Sequence, residues 1–303
     1  MKLSRILLAT YSIAALLASM AAAHADTVKK PAARATKVSA DFTKTGEPNV
    51  MSHAVMVYDQ TTGQPLFSKN ADSALPIASI TKLMTSMVVL DAMQQMDETI
   101  TIDRDDIDTL KGSHSRLPVG TPFHRDDLMR LALMASDNRA AAALGRTYPG
   151  STPAMVEAMN AKARTLGLEN TRFVDPTGLA PGNVASPADL ARMVDAASKY
   201  ERIREYTTTP ALNVTLPNAK RSIGFQNTNA LVRSGGSWDI GLSKTGYINE
   251  AGKCLVMQAM IASRPVVIVL LDSWGKLTRI GDANRIKKWI EKTQVAAITA
   301  KTS

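Results

Sequence analysis

The chain has 303 residues, of which 45% are hydrophobic, 21% charged and 5% aromatic, and its formal net charge is +9. This composition excludes a disordered or collagen-like chain and leaves room for one sizeable core with a second lobe. A single cysteine, Cys254, excludes a disulfide framework.

At the N-terminus, Lys2 and Arg5 precede an apolar run over 6–20, and Ala23-His24-Ala25 is an A-x-A cleavage site. The pattern predicts a signal peptide over 1–25, cleaved after Ala25. The apolar run is short for a spanning helix, and no later stretch is long enough to cross a bilayer. The mature chain is therefore expected to be exported. It carries no nucleic-acid motif, and a basic exported protein suits a polyanionic surface or an acidic substrate better. Residues 26–50 are rich in Lys, Ala, Thr and Pro and read as a flexible basic tether.

Beyond the tether, 55–58 and 65–67 flank Gln60-Thr61-Thr62-Gly63 and read as a hairpin. Pro76 breaks the chain, and the apolar run 83–96 reads as a buried helix. A short extended piece follows at 99–102. Helical periodicity covers 126–134 and 152–166, the second closed by Gly167, and Ser186-Pro187-Ala188-Asp189 opens another helix. A long loop, 173–183, lies between them. From Leu212 the pattern turns to strands. Segments 239–248, 253–262 and 265–271 read as an antiparallel meander. Residues 280–293 close as an amphipathic helix with Ile286, Trp289 and Ile290 on one face.

Strands at both ends with helices between them predict an α/β fold. It would be an antiparallel sheet flanked by helices, with a helical lobe inserted over about 103–211. One domain is expected over 51–293, with a tail over 294–303. The cleft between the lobes is the natural site. Cys254 falls in an apolar strand and reads as a core residue. His53, His114 and His124 are scattered without metal-ligand spacing. Asp103, Asp105, Asp106 and Asp108 lack the Gly and terminal Glu of a calcium loop and read as a solvated helix start.

Chemistry is suggested first by Ser79-Ile80-Thr81-Lys82. Residues three apart share one face of a helix. A serine needs a base to become a nucleophile, and a lysine can be that base if its pKa falls toward about 7–8. Burial, a helix N-terminus and a nearby cation would all lower it. Two further motifs follow in order, Ser136-Asp137-Asn138 in the helical region and Lys244-Thr245-Gly246 on the first strand of the meander. Lys44-Thr45-Gly46 and Ser68-Lys69-Asn70 are decoys that precede Ser79.

The ordered trio resembles the signature of penicillin-binding proteins and class A β-lactamases. With 76–85, 131–141, 173–179 and 241–247, the chain is similar to the low-molecular-mass penicillin-binding proteins over about 49–292. These are D-Ala-D-Ala carboxypeptidases and endopeptidases with the penicillin-binding protein/β-lactamase-like transpeptidase fold. Leu271-Asp272-Ser273-Trp274-Gly275-Lys276 looks most like the penicillin-binding protein 7 type, a DD-endopeptidase branch.

The resemblance implies Ser79 as nucleophile, Lys82 as general base and Ser136 as proton relay. It implies that Asn138, Lys244, Thr245 and Gly246 bind substrate, and that the backbone N–H groups of Ser79 and Tyr247 form the oxyanion hole. Peptidoglycan cross-links or stem peptides would be the substrate and β-lactams covalent inhibitors, with no cofactor and no metal, and the resemblance to the endopeptidase branch implies a periplasmic protein without a membrane anchor. The expected activity is serine-type DD-endopeptidase. The alternatives are a D-Ala-D-Ala carboxypeptidase and a non-hydrolytic penicillin-binding sensor module. A class A β-lactamase is disfavoured because no Glu-x-x-Leu-Asn loop lies between Ser136 and Lys244.

Overall fold

The computed structural model describes residues 41–216 and 222–302. The expected signal peptide and the tether up to residue 40 lie outside the described residues. The last ten tether positions depart from expectation, because they are folded. Phe42 bridges Pro48, Asp41 pairs with Lys288, and Val50 is buried.

A five-stranded antiparallel sheet forms the backbone of the molecule. Its strands are β1 (Ala54–Asp59) and β2 (Gln64–Lys69), then β9 (Asp239–Ile248), β10 (Gly252–Ile261) and β11 (Arg264–Ser273), in the order β2-β1-β11-β10-β9. The N-terminal hairpin thus docks on the far side of the C-terminal meander and leaves β9 as an edge. Three two-stranded pairs complete the strands. They are β3 (Leu75–Pro76) with β6 (Val184–Ala185), β4 (Thr99–Thr101) with β5 (Pro122–His124), and β7 (Ala211–Thr215) with β8 (Ser222–Gln226).

The chain between β2 and β9 carries most of the helices. These are α1 (Thr81–Asp91), α2 (Arg125–Met134), α3 (Asn138–Arg146), α4 (Ser151–Thr165), α5 (Pro187–Ala197), α6 (Glu201–Thr208) and the short α7 (Ala230–Arg233). The last helix, α8, spans Thr278–Thr302, so helix runs on through the expected tail. The aspartate cluster is a 3-10 turn, Arg104–Asp106, capped by Asp103. It is not fully solvated, since Asp106 is buried against Arg146.

Alternation along β11 explains the layering. Val267, Val269 and Leu271 join the larger core with α1 and α5, while Val266, Ile268 and Leu270 pack with Ala283, Ile286 and Ile290 of α8. Both faces of the sheet are covered, so its strands read as nearly continuous apolar runs. Cys254 is buried there, and burial pushes its thiol up to about 11. Helix α1 is buried almost all round, among α2, α3, α4 and α5. It begins where the helical lobe meets the β9 edge of the sheet.

Candidate active site

The site is assembled around the start of α1. Pairing of β3 with β6, and the Ile77 N–H donating to Asn183 O at 3.0 Å, bring the chain to Ala78. Ala78 takes a left-handed φ of 48°, a conformation costly for a residue with a Cβ. A 3-10 turn over Ala78–Ile80 then runs straight into α1. Ser79 lies on this turn, half-buried, and Lys82 is fully buried one turn later.

Lys82 Nζ has three oxygen neighbours: Ser79 Oγ at 2.9 Å, Asn138 Oδ1 at 2.7 Å and Thr177 O at 2.6 Å. Burial lowers its pKa from 10.5 to about 7, against the opposing pull of Asp175, Asp137 and Asp108. The neighbours also fix how a neutral amine must sit. Asn138 Oδ1 and Thr177 O can only accept, so they take its two N–H bonds. The lone pair is left facing Ser79 Oγ, the one neighbour that can donate.

Each acceptor is itself held. Asn138 opens α3, and its Nδ2 donates to Ser113 Oγ at 2.8 Å, which donates to Asp108 Oδ2 at 2.6 Å. This chain sets the amide so that Oδ1 faces Lys82. Thr177 O is presented by a loop folded around Asp175. That carboxylate accepts from the N–H groups of Thr177, Gly178 and Ala180, from Thr177 Oγ1 and from Asn183 Nδ2. Gly178 has φ +82° and lies against the Ala78 carbonyl, so that a Cβ there would come within 2.0 Å of Ala78 O.

The second half of the site joins the lobes. Ser136 sits in the break between α2 and α3 with a left-handed φ of 58°. Its Oγ accepts from Lys244 Nζ at 2.8 Å. Lys244 is buried on β9, and burial first, then Lys82 and Arg279, holds its pKa well below the usual lysine range. Among the described residues the acidic groups that offset burial at Lys82 have no counterpart at Lys244. Thr245 Oγ1 donates to Thr228 Oγ1 at 2.6 Å. Gly246 lets β9 approach the serine turn, since a Cβ there would lie 2.7 Å from Ile77 O and 3.3 Å from Ser79 N. Tyr247 follows, its side chain largely exposed beneath Lys253, whose Nζ lies 4.1 Å from the ring centroid.

The structure therefore brings Ser79, Lys82, Asn138, Ser136, Lys244 and Gly246 into one connected cluster, with Thr245 and Tyr247 alongside on β9. A cavity of about 370 Å³ adjoins it, lined by Asn138, Asp175, Thr177, Asp108 and Leu110 among others. The decoys lie elsewhere. Ser68 and Lys69 are on β2, at the opposite edge of the sheet, and Lys44-Thr45-Gly46 is in the turn before Val50.

Several positioning groups escaped the sequence reading. Asp108 stood in an acidic cluster read as solvated, and Ser113 and Thr228 had no motif. Arg279 lies 33 residues beyond Gly246, yet donates to Gly246 O at 3.2 Å and Cys254 O at 2.9 Å. Only Asp175 and Thr177 carried a signal, as part of the 173–179 motif.

Comparison with known proteins places the chain in a family and a fold. A family model described as D-alanyl-D-alanine carboxypeptidase, peptidase family S11, matches residues 41–275. A D-alanyl-D-alanine endopeptidase of Pseudomonas aeruginosa is 46% identical over 270 residues, covering 88% of this chain and 87% of that protein. One of the same description from Escherichia coli is 42% identical, covering 89% and 86%. Among solved structures, the Streptomyces K15 DD-transpeptidase superposes with a TM-score of 0.73 at 29% identity, covering 80% of this chain and 97% of that one.

Proposed function

The chain belongs to the D-alanyl-D-alanine carboxypeptidase family of serine peptidases, and from that premise we propose that it is a DD-endopeptidase that opens peptidoglycan cross-links. The observation that carries the acyl-enzyme chemistry, common to both peptidase readings, is the triple contact of Lys82 Nζ, which in the neutral amine leaves a lone pair for Ser79 Oγ. Lys82 takes the Ser79 proton as Oγ attacks the D-Ala carbonyl. The backbone N–H groups of Ser79 and Tyr247 hold the resulting oxyanion; one such donor is worth about 10²–10³ in rate. The C–N bond breaks with a proton delivered to the leaving amine through Ser136, and water then releases the acyl group from Ser79.

Lys244 and Thr245 take the carboxylate beside the leaving amine. Burial, Lys82 and Arg279 disfavour charge on Lys244. A bound carboxylate reverses that balance, and the restored charge then disfavours a proton on Lys82. The Asn138 amide, whose Oδ1 is engaged by Lys82, has its second Nδ2 hydrogen free for a substrate carbonyl. β-Lactams, with a carboxylate next to a strained amide, would acylate Ser79 by the same route.

The endopeptidase reading is preferred because the two similar relatives above carry that description. Trimming of D-Ala from pentapeptides uses the same acyl-enzyme and is the second reading. The leader up to Ala25 supports export to the periplasm. Among the described residues no helix is long and apolar enough to cross a membrane.

A digest of mixed muropeptides by mature protein, with Ser79→Ala as control, tests this. Conversion of cross-linked dimers to monomers, seen by mass spectrometry and absent in the variant, is the expected result. Loss of one D-Ala from pentapeptides with dimers intact would make the protein a carboxypeptidase. Labelling of Ser79→Ala by a fluorescent penicillin would mean that the nucleophile lies elsewhere.

A further inference from the structure

The end of the sheet beyond the catalytic strand carries an aromatic surface that the reaction above does not use. Trp274 is 86% exposed, Leu277 70% and Tyr247 56%. Tyr247 pairs with Lys253, and Lys253 with Ser273, so Trp274 follows directly on a row that crosses three strands. Neighbouring strands lie about 4.8 Å apart, which puts this segment on the order of 10 Å from Tyr247. The Trp274 carbonyl is held by the Thr278 hydroxyl at the start of α8. A shallow cavity of about 290 Å³ lies here, lined by Tyr247, Asn249, Lys253, Asp272 and Trp274 among others.

We propose that this surface is a saccharide subsite, which binds an amino sugar of the glycan strand from which the acyl-side peptide hangs. The inference rests on the endopeptidase reading for its direction. If Lys244 and Thr245 hold the leaving-group carboxylate and the acyl carbon sits at Ser79 beside Gly246, the acyl peptide continues past Tyr247 toward the end of β9. A stem of four residues reaches about 14 Å at most, which ends over the Tyr247–Trp274 surface.

The lining selects the occupant. A lipid or an apolar protein face would strand the Asp272 carboxylate and the Lys253 amine without water. Two or three exposed side chains also fall far short of the roughly 800 Å² per partner of a stable protein interface. A sugar ring offers an apolar C–H face to the flat indole and hydroxyl groups to Asn249, Asp272 and Lys253. Rigid aromatic side chains supply such contact at low entropic cost.

The test compares a cross-linked muropeptide dimer that bears its sugars with the same dimer stripped of them. Wild-type protein should cut the sugar-bearing dimer with a kcat/KM up to about 10-fold higher, the size of one aromatic stacking contact. Trp274→Ala should erase that preference, with the sugar-free dimer cut as before, and Trp274→Phe should restore part of it. Equal kcat/KM for the two dimers in the wild type overturns the subsite, as does a Trp274→Ala loss shared by both. If neither dimer is cut while pentapeptides are trimmed, the endopeptidase reading fails. The same comparison on sugar-bearing and sugar-free pentapeptides then decides the subsite.

Discussion

A lysine can act as a base near neutral pH only if the fold keeps it uncharged. Lys82 is kept so by burial, while Asp175, Asp137 and Asp108 pull its pKa back to about 7. Acylation by penicillin should therefore rise as pH passes upward through about 7 and level off above it. Stopped-flow acylation rates on either side of that value check this, and a rate that falls through the window would remove Lys82 from the role of base. The stability effect has a definite sign. Between about 7 and 10.5 the unfolded chain binds the Lys82 proton and the folded chain does not. Unfolding free energy contributed by this residue thus increases with pH across that window, and the full cost is present below it. The stability of the wild type relative to Lys82→Met should rise accordingly in denaturant titrations at stepped pH. Lys244 has a different task. Lys244→Ala should raise KM about 10-fold or more for a substrate with a free carboxylate, the cost of losing one partner of a charged pair. A purely amidated substrate should lose far less, and equal losses for both would argue against the carboxylate role.

At the scale of elements, the site depends on three segments touching through backbone. These are the turn Ala78–Ile80, the loop around Asp175 and strand β9. Gly178 is the tightest contact, with a left-handed φ and no room for a Cβ beside Ala78 O. Gly178→Ala should cost about 2 kcal/mol or more, through strain and overpacking together. It should also slow acylation by moving Thr177 O away from Lys82. Gly167 is a fitting comparison, because its φ is +66° but nothing lies within 4 Å of a Cβ built there. Gly167→Ala should cost only the backbone strain, about 1 kcal/mol, with acylation unchanged. Urea midpoints and acylation rates for the two variants separate contact from conformation.

At the scale of the whole molecule, α8 ties the N-terminal hairpin to the C-terminal meander. Asp282, fully buried on α8, accepts from Met51 N at 2.9 Å, Ser52 N at 2.7 Å and Ser52 Oγ at 2.5 Å, and pairs with Arg285. Asp282→Ala should destabilise the protein by about 3 kcal/mol, since each hydrogen bond to a charged group is worth about 1.5–3 kcal/mol. Thermal unfolding would show the loss. Titration with labelled penicillin should show an unaltered acylation rate per folded molecule, because Asp282 belongs to the other side of the sheet. Across the cleft mouth, Lys111 pairs with Glu250 at 2.5 Å, joining the helical lobe to the β9–β10 turn. Exposed pairs of this kind contribute little to stability, and Glu250→Gln should leave the melting temperature unchanged.

The N-terminal hairpin, the helix after Ser79, the C-terminal meander and the three contiguous motifs were legible in the chain, whereas α3, α6 and the β3–β6 pair were not. Period-two and period-3.6 patterns and turn residues are local signals, and Ser79–Lys82, Ser136–Asn138 and Lys244–Gly246 are each contiguous. Boundaries were less legible. Helix continues through the expected tail, and positions 41–50 of the expected tether are folded because Asp41 and Val50 find partners hundreds of residues away. Partnerships between distant segments had no local signal at all. Nothing near Asp108 announces that it will orient Asn138 through Ser113, or near Arg279 that it will reach the carbonyl of Gly246. The same holds for the state of the two lysines. Residue type makes each a possible base or cation, but desolvation and the placement of Asp175, Asp137 and Asp108 separate them, and those depend on how the lobes close around Lys82 and Lys244. Local sequence carries the chemical groups and their elements; burial and long-range contact, which are properties of the packed chain, settle their protonation and their aim.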